Sequence, residues 1–175
     1  MKKFFRFAAF FLIFFFITMS RVYAESNYVL PYPSSMPGGM SYNFHLLYES
    51  VSKYWYFGNF GQFNYNLKLA DKYLVEAKTL FEYKQYLLGY KALKKSDQYF
   101  INILPNLARA RRNGKNMLHK RVIFKESTRK HIETLEKMEV DTPDTFNWQP
   151  EKASPTILDI KGAIEYSINV RKKDL

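Results

Sequence analysis

Histidines, paired carboxylates, clustered aromatics and clustered cations are the side chains here with chemistry to offer, and their spacing decides how much. His45, His119 and His131 are the three histidines. His119 and His131 lie twelve positions apart on a helical stretch, more than three turns, and none of the three has a second ligand type at metal spacing. They read as solvated or half-buried side chains, and neither a metal nor any other cofactor is expected. The acid pairs Glu133/Glu136 and Asp141/Asp144 would suit a glycosidase only if a cleft raised one of the two pKa values. They read as helix-surface and linker charges. The chain has no Gly-rich phosphate loop, no Gly-x-Ser-x-Gly elbow and no His-Glu-x-x-His. It has no cysteine, which removes thiolate chemistry and disulfides. A non-enzymatic protein without a small-molecule substrate is the expectation.

Two constellations remain. Residues 42–65 are rich in aromatics and include Tyr54-Trp55-Tyr56-Phe57. Such rings can stack on sugars or grip a partner helix, and they can equally build the core of a cysteine-free bundle. The core reading is preferred, but four consecutive aromatics cannot all face one core, so one or two should be partly exposed. The second constellation is basic: Arg109, Arg111, Arg112, Lys115, Lys120, Arg121, Lys125, Arg129 and Lys130, with Glu126 as the single acid among residues 109–130. It is either a solvated helix face or a patch attracted to the anionic cell envelope, meaning phospholipid headgroups or phosphate-bearing polymers. Nucleic acid would feel the same attraction but is an unlikely partner for an exported chain.

Export is read from the N-terminus. Lys2, Lys3 and Arg6 precede an apolar run over residues 7–19 broken only by Thr18, and Val22-Tyr23-Ala24 follows. That order is the anatomy of a secretory signal, and the run is short for a membrane span of about 20 residues. Cleavage after Ala24 is expected, leaving an extracytoplasmic chain that starts at Glu25; the alternative is an uncleaved N-terminal anchor. The precursor carries a net charge of +11, and removing the four leader cations (Arg21 is the fourth) leaves 23 basic against 16 acidic residues, about +7.

The elements that must position these groups are helical. Residues 25–41 form an extended lead-in, since Leu30-Pro31-Tyr32-Pro33 and Met36-Pro37-Gly38-Gly39 cannot continue a helix. A helix capped by Ser41 runs to about residue 57, with Phe44, Leu47, Tyr48, Val51 and Trp55 on its apolar stripe. Gly58 to Gly61 should break it. Phe60, Phe63, Leu67, Ala70, Leu74, Ala77 and Phe81 then alternate spacings of three and four, one seam of an amphipathic helix. Tyr73 and Leu80 widen the seam, while Asp71, Lys72, Glu76 and Lys78 fall off it, towards solvent. A third helix carries Tyr86, Tyr90, Leu93, Phe100 and Leu104; Pro105 must kink or end it, and Asn113-Gly114 stops the segment. A fourth, about 117–138, presents Leu118, Phe124, Ile132 and Leu135. Residues 140–154 read as a linker with Pro143 and Pro150. Ser154-Pro155 caps a last helix over 155–175, with Ile157, Ile160, Ile164 and Ile168 on its apolar face and Arg171-Lys172-Lys173 at its basic end.

Three stretches also resemble a family of uncharacterised bacterial exported helical domains. They are Leu30-Pro31-Tyr32-Pro33 with Met36-Pro37 and Tyr42, then Leu69-Ala70-Asp71-Lys72-x-Leu74-x-Glu76-Ala77-Lys78, then Tyr90-Lys91-Ala92-Leu93-Lys94-Lys95-Ser96. The likeness covers about residues 30–101 and departs from the family pattern at Ser34 and Met40. It implies a small helical domain outside the cytoplasm and carries over no catalytic residue.

The expected organisation is therefore a signal peptide (1–24), the lead-in (25–41), a small antiparallel all-α bundle (42–139), a linker (140–154) and a C-terminal amphipathic helix (155–175). The expected function is binding or scaffolding at the cell envelope through the nine cations. The alternative is an accessory subunit whose exposed helices, about 117–138 and 155–173, dock an unidentified protein.

Overall fold

A computed structural model describes residues 26–33, 36–152, 154–173 and 175. The leader, its cleavage site after Ala24, and Ser34 lie outside the described residues. The elements are α1 (Met40–Ser52), α2 (Gly58–Glu82), α3 (Tyr86–Ile101), α4 (Ile103–Arg112), α5 (Leu118–Asp141), β1 (Thr145–Trp148), β2 (Thr156–Asp159) and α6 (Ile160–Lys172). The protein is all-α in class, with one short antiparallel hairpin pairing Thr145 with Asp159 and Trp148 with Thr156.

The seam on α2 is buried as its spacing requires: Phe63, Leu67, Ala70, Leu74, Ala77 and Phe81 all lie inside, and Tyr73 and Leu80 join them. The helix is central rather than one-sided, because α3, α4 and α5 all pack on it. Asp71 and Glu76, placed towards solvent by the periodicity, are therefore buried, at 5% and 4% exposed. Two turns set the path of the chain. Between α2 and α3, the Lys84 and Gln85 amides donate to the carbonyls of Phe81 and Leu80, and Lys84 takes a left-handed φ of 58°. The end of α4 repeats the motif: Gly114, with φ 69°, donates to Arg111 while Lys115 donates to Ala110. That double bond satisfies the last carbonyls of the helix, and glycine accepts the left-handed backbone without a Cβ penalty. Asn113-Gly114 does stop the segment. The break that Pro105 predicts falls at Asn102, between α3 and α4, and leaves Pro105 in the first turn of α4, where its missing N–H has no helical partner to lose.

The apolar side chains form two main clusters along α2. One gathers Leu74, Leu80, Leu93, Leu135, Ile160 and Ile164; the other gathers Phe63, Leu67, Phe100, Ile103, Leu107 and Phe124. The C-terminal helix belongs to the first, so its apolar face packs on the bundle.

Four sequence expectations are corrected. Residues 140–154 are not a plain linker, since they contain β1; four-residue strands are too short to print a readable alternation. The last helix starts at Ile160 and its cap is Asp159, whose carboxylate accepts from the Gly162 amide at 2.9 Å, so Ser154-Pro155 is not the helix start. Ile157 consequently sits on β2 and is exposed. The first helix ends at Ser52 and leaves 53–57 as a turn; α2 begins at Gly58, and Gly61 is held so close to the Tyr56 backbone that a Cβ there would lie 2.6 Å from its carbonyl carbon.

The fourth correction concerns α1, whose apolar stripe points out. Phe44 is 71% exposed, and Leu47, Tyr48, Val51 and Trp55 are exposed with it. The helix docks on α2 through polar groups instead. Glu49 ion-pairs with Lys72 and accepts from the Tyr73 hydroxyl at 2.7 Å, while Tyr42 donates to Glu76 at 2.9 Å. The Tyr65 hydroxyl donates to the Glu49 carbonyl at 3.0 Å.

Candidate functional site

The basic segment runs along α4, round the Gly114 turn and into α5. Arg109, Arg111, Arg112, Lys115, Arg121 and Lys125 are all exposed. None of these six makes an ion pair among the described residues. The other three are engaged: Arg129 pairs with Glu126 at 2.9 Å, Lys130 with Glu133 at 3.1 Å, and Lys120 donates to Asn64 at 2.8 Å. The nine cations of the sequence thus divide into six without an ion pair among the described residues, on α4, the turn after it and the first turns of α5, and three engaged along α5.

This end of the molecule also holds the aromatic turn. Lys115 Nζ stands 5.2 Å from the centre of the Phe60 ring, and Lys120 Nζ stands 5.3 Å from that of Phe63, both in the first turns of α2. Lys53 and Arg109 line one groove of about 450 Å³ with Gln62, Tyr65, Asn66 and Asn106. Asn66, Asn102 and Asn106 each donate their side-chain amide to the carbonyl four residues back. Of the four successive aromatics, Tyr54, Trp55 and Phe57 are exposed and Tyr56 is half-buried against Tyr65, at 5.5 Å between ring centres. More of them face solvent than a core reading allows.

A second constellation is buried where the two apolar clusters meet. Asp71 on α2, Asp97 on α3, His131 on α5 and Arg171 on α6 form one connected network, extended by Tyr28 of the lead-in. The Tyr28 hydroxyl donates to Asp71 at 2.6 Å, and His131 Nε2 lies 2.7 Å from the other Asp71 oxygen. Arg171 Nε donates to His131 Nδ1 at 3.1 Å, and its Nη1 donates to Asp97 at 2.6 Å. Ser167 donates to Asp97 at 2.7 Å, and Ser96 accepts from Arg171 while donating to the Ala70 carbonyl. The guanidinium lies over the Phe100 ring, with Cζ 4.7 Å from its centre.

Hydrogen positions follow from the donors. A guanidinium N–H can only donate, so Nδ1 of His131 accepts; the ring proton sits on Nε2 and points at Asp71. The imidazole is neutral, and burial, with Arg171 adding to it, holds its pKa below the ordinary value. Burial also pushes the Arg171 guanidinium down from its usual range, Asp97 opposing. Desolvation and Asp71 together raise the Tyr28 phenol far above its normal range. A general base needs a ring nitrogen facing its substrate. Both nitrogens of His131 are occupied and the side chain is fully buried, and the network ties α2, α3, α5, α6 and the lead-in together.

Sequence reasoning placed His131 in or near solvent and gave Arg171 to the helix dipole; both are completely buried. A signal existed. Asp71 follows Leu67 and Ala70 and precedes Leu74, Asp97 lies between Leu93 and Phe100, His131 lies seven after Phe124, and Arg171 lies seven after Ile164. Asp97, His131 and Arg171 each occupy a place on their helix's own apolar stripe, and Asp71 stands at the edge of the α2 seam. His45 and His119 are exposed, and no group of three or more His, Asp or Glu among the described residues is arranged to hold a metal ion. Among those residues, no helix is long and apolar enough to cross a membrane.

No protein-family model, curated protein or solved structure matches the chain.

Proposed function

We propose that this protein is an exported, non-enzymatic helical domain that holds to an anionic surface of the cell envelope through the cations around the α4–α5 turn. The observation that carries the reading is that six exposed cations (Arg109, Arg111, Arg112, Lys115, Arg121 and Lys125) have no ion-pairing carboxylate among the described residues, while the rest of the basic segment is engaged within the fold. Each such residue near a charged bilayer contributes about 1 kcal/mol, so the group together can localise the protein. The leader pattern and the resemblance of residues 30–101 to exported helical domains support a place outside the cytoplasm.

Sedimentation with mixed phosphatidylglycerol and phosphatidylcholine vesicles over a salt series tests it. Binding should fall steeply with salt, and combined Arg111→Gln, Arg112→Gln, Lys115→Gln and Arg121→Gln substitutions should weaken it at least about a hundredfold. Equal binding to purely neutral vesicles, or none to anionic ones, would sink the reading. Of the helices that a protein-docking role would use, α6 gives its apolar side to the core, and no specific observation favours that role.

A further inference from the structure

We infer that α1 and the turn after it form a lipid-interface anchor, in which Phe44, Leu47, Val51, Tyr54, Trp55 and Phe57 enter the headgroup–acyl boundary of an anionic bilayer. The inference rests on the anionic-surface reading above and narrows it from any anionic polymer to a lipid surface.

Three observations converge on it. The first is that the outward face of α1 is held outward. Glu49, bonded to Lys72 and to the Tyr73 hydroxyl, and Tyr42, bonded to Glu76, fix the polar side of the helix against α2. The apolar stripe cannot roll into the core without leaving these buried partners unpaired. The second is chemical type. Trp55 is 62% and Phe57 81% exposed, and the side chains beside them are Tyr, Phe, Leu and Val. Large apolar and aromatic groups on a helix with a polar opposite face, too short to span, are the pattern of a helix lying in the interface plane. An exposed apolar patch of this kind marks an interaction site.

The third is charge complementarity. Lys53 follows α1 directly, shares a groove with Arg109, and so joins the aromatic turn to the basic one. Lys115 reaches the same place from the other side, against Phe60 and within 4.0 Å of where a Cβ on Gly58 would lie. On α5, Leu118 and Val122 are exposed beside Arg121. Cations therefore rim the apolar patch. A second copy of this chain would set those cations against themselves, whereas a bilayer carrying anionic headgroups matches both the apolar centre and its rim.

The chain has two tryptophans, so Trp148→Phe leaves Trp55 as the only indole. With mixed phosphatidylglycerol and phosphatidylcholine vesicles, Trp55 emission should shift to the blue and be quenched by phosphatidylcholine brominated high on its acyl chains. Because the readout is local to residue 55, it serves for the full chain and for a chain starting at Glu25 alike. Trp55→Ser with Phe57→Ser, both at exposed positions, should lower vesicle partitioning by roughly tenfold per side chain and remove the fraction that survives high salt. Salt-sensitive binding with Trp55 still in water would overturn the anchor and leave the electrostatic reading standing. Loss of all vesicle binding would overturn both. A blue-shifted Trp55 without vesicles would also refute the anchor. If seen only in the full chain, that shift would identify residues 1–24 as the cover; if it grew with protein concentration, a second copy.

Discussion

Helices α1 and α2 carry comparable apolar stripes and put them to opposite use. On α2 the stripe is the centre of the molecule, and even the charged residues beside it are drawn inside. On α1 the stripe faces out and the charged side does the docking. The difference is one of surroundings. Helix α2 has α3, α4 and α5 packed on it, so burial is decided for it, whereas the side-chain bonds of α1 run to Lys72, Tyr73 and Glu76 of α2. Periodicity says that a face is apolar; it does not say what the face meets.

The contrast can be broken at several points. Arg171→Met would strand Asp97 in the interior and should cost about 3–5 kcal/mol in denaturant unfolding, with part recovered by adding Asp97→Asn. A cost below about 1 kcal/mol would mean that the buried network is not what joins the four helices. Next in size is Glu49→Ala, which removes the partner of Lys72 and leaves the buried Tyr73 hydroxyl unpaired, for about 1–3 kcal/mol. That loss should be local, seen as faster amide exchange across α1 with α2 and α3 unchanged. If the whole bundle weakened equally, α1 would be part of the core after all.

A smaller effect is expected from pH. The folded state holds His131 neutral with a pKa below the ordinary 6.5. Below that value the unfolded chain takes up a proton that the folded chain refuses, so the unfolded state binds more protons and stability falls as the pH drops from about 6.5 towards the lower folded value. The slope from this one group is at most about 1.4 kcal/mol per pH unit. Denaturation midpoints of the native protein and of His131→Gln over that window should diverge, the variant showing the flatter profile. The smallest effect belongs to the outward face of α1: Leu47→Ser should change unfolding free energy by no more than about 0.5 kcal/mol, where Leu74→Ala on α2 costs about 2–5.

Glu76 gives the comparison a finer edge. One of its carboxylate oxygens accepts from Tyr42, the other is buried without a hydrogen-bond partner among the described residues, and burial raises its pKa. The α1–α2 contact is thus polar at some cost to the fold, in keeping with a helix placed for what its other face does.

The sequence by itself determined the helices, because spacings of three and four, prolines and an Asn-Gly stop are local facts whose physical meaning does not depend on partners. It located the seam on α2, the break near Pro105, the turn at Gly114 and the nine cations. It put Asp71 beside the seam and towards solvent, read His131 as solvated or half-buried and gave Arg171 to the helix dipole, although Asp97, His131 and Arg171 each stand on an apolar stripe. Only the tertiary structure decided that these four meet one another, because their pairing depends on the relative register of four helices, which no single helix encodes. The same holds for α1, whose apolar face turned outward because the buried partners of Glu49 and Tyr42 lie on another element. It holds too for the cations, which acquired their division into those engaged and those without an ion pair among the described residues from the acids and amides that folding brought alongside them.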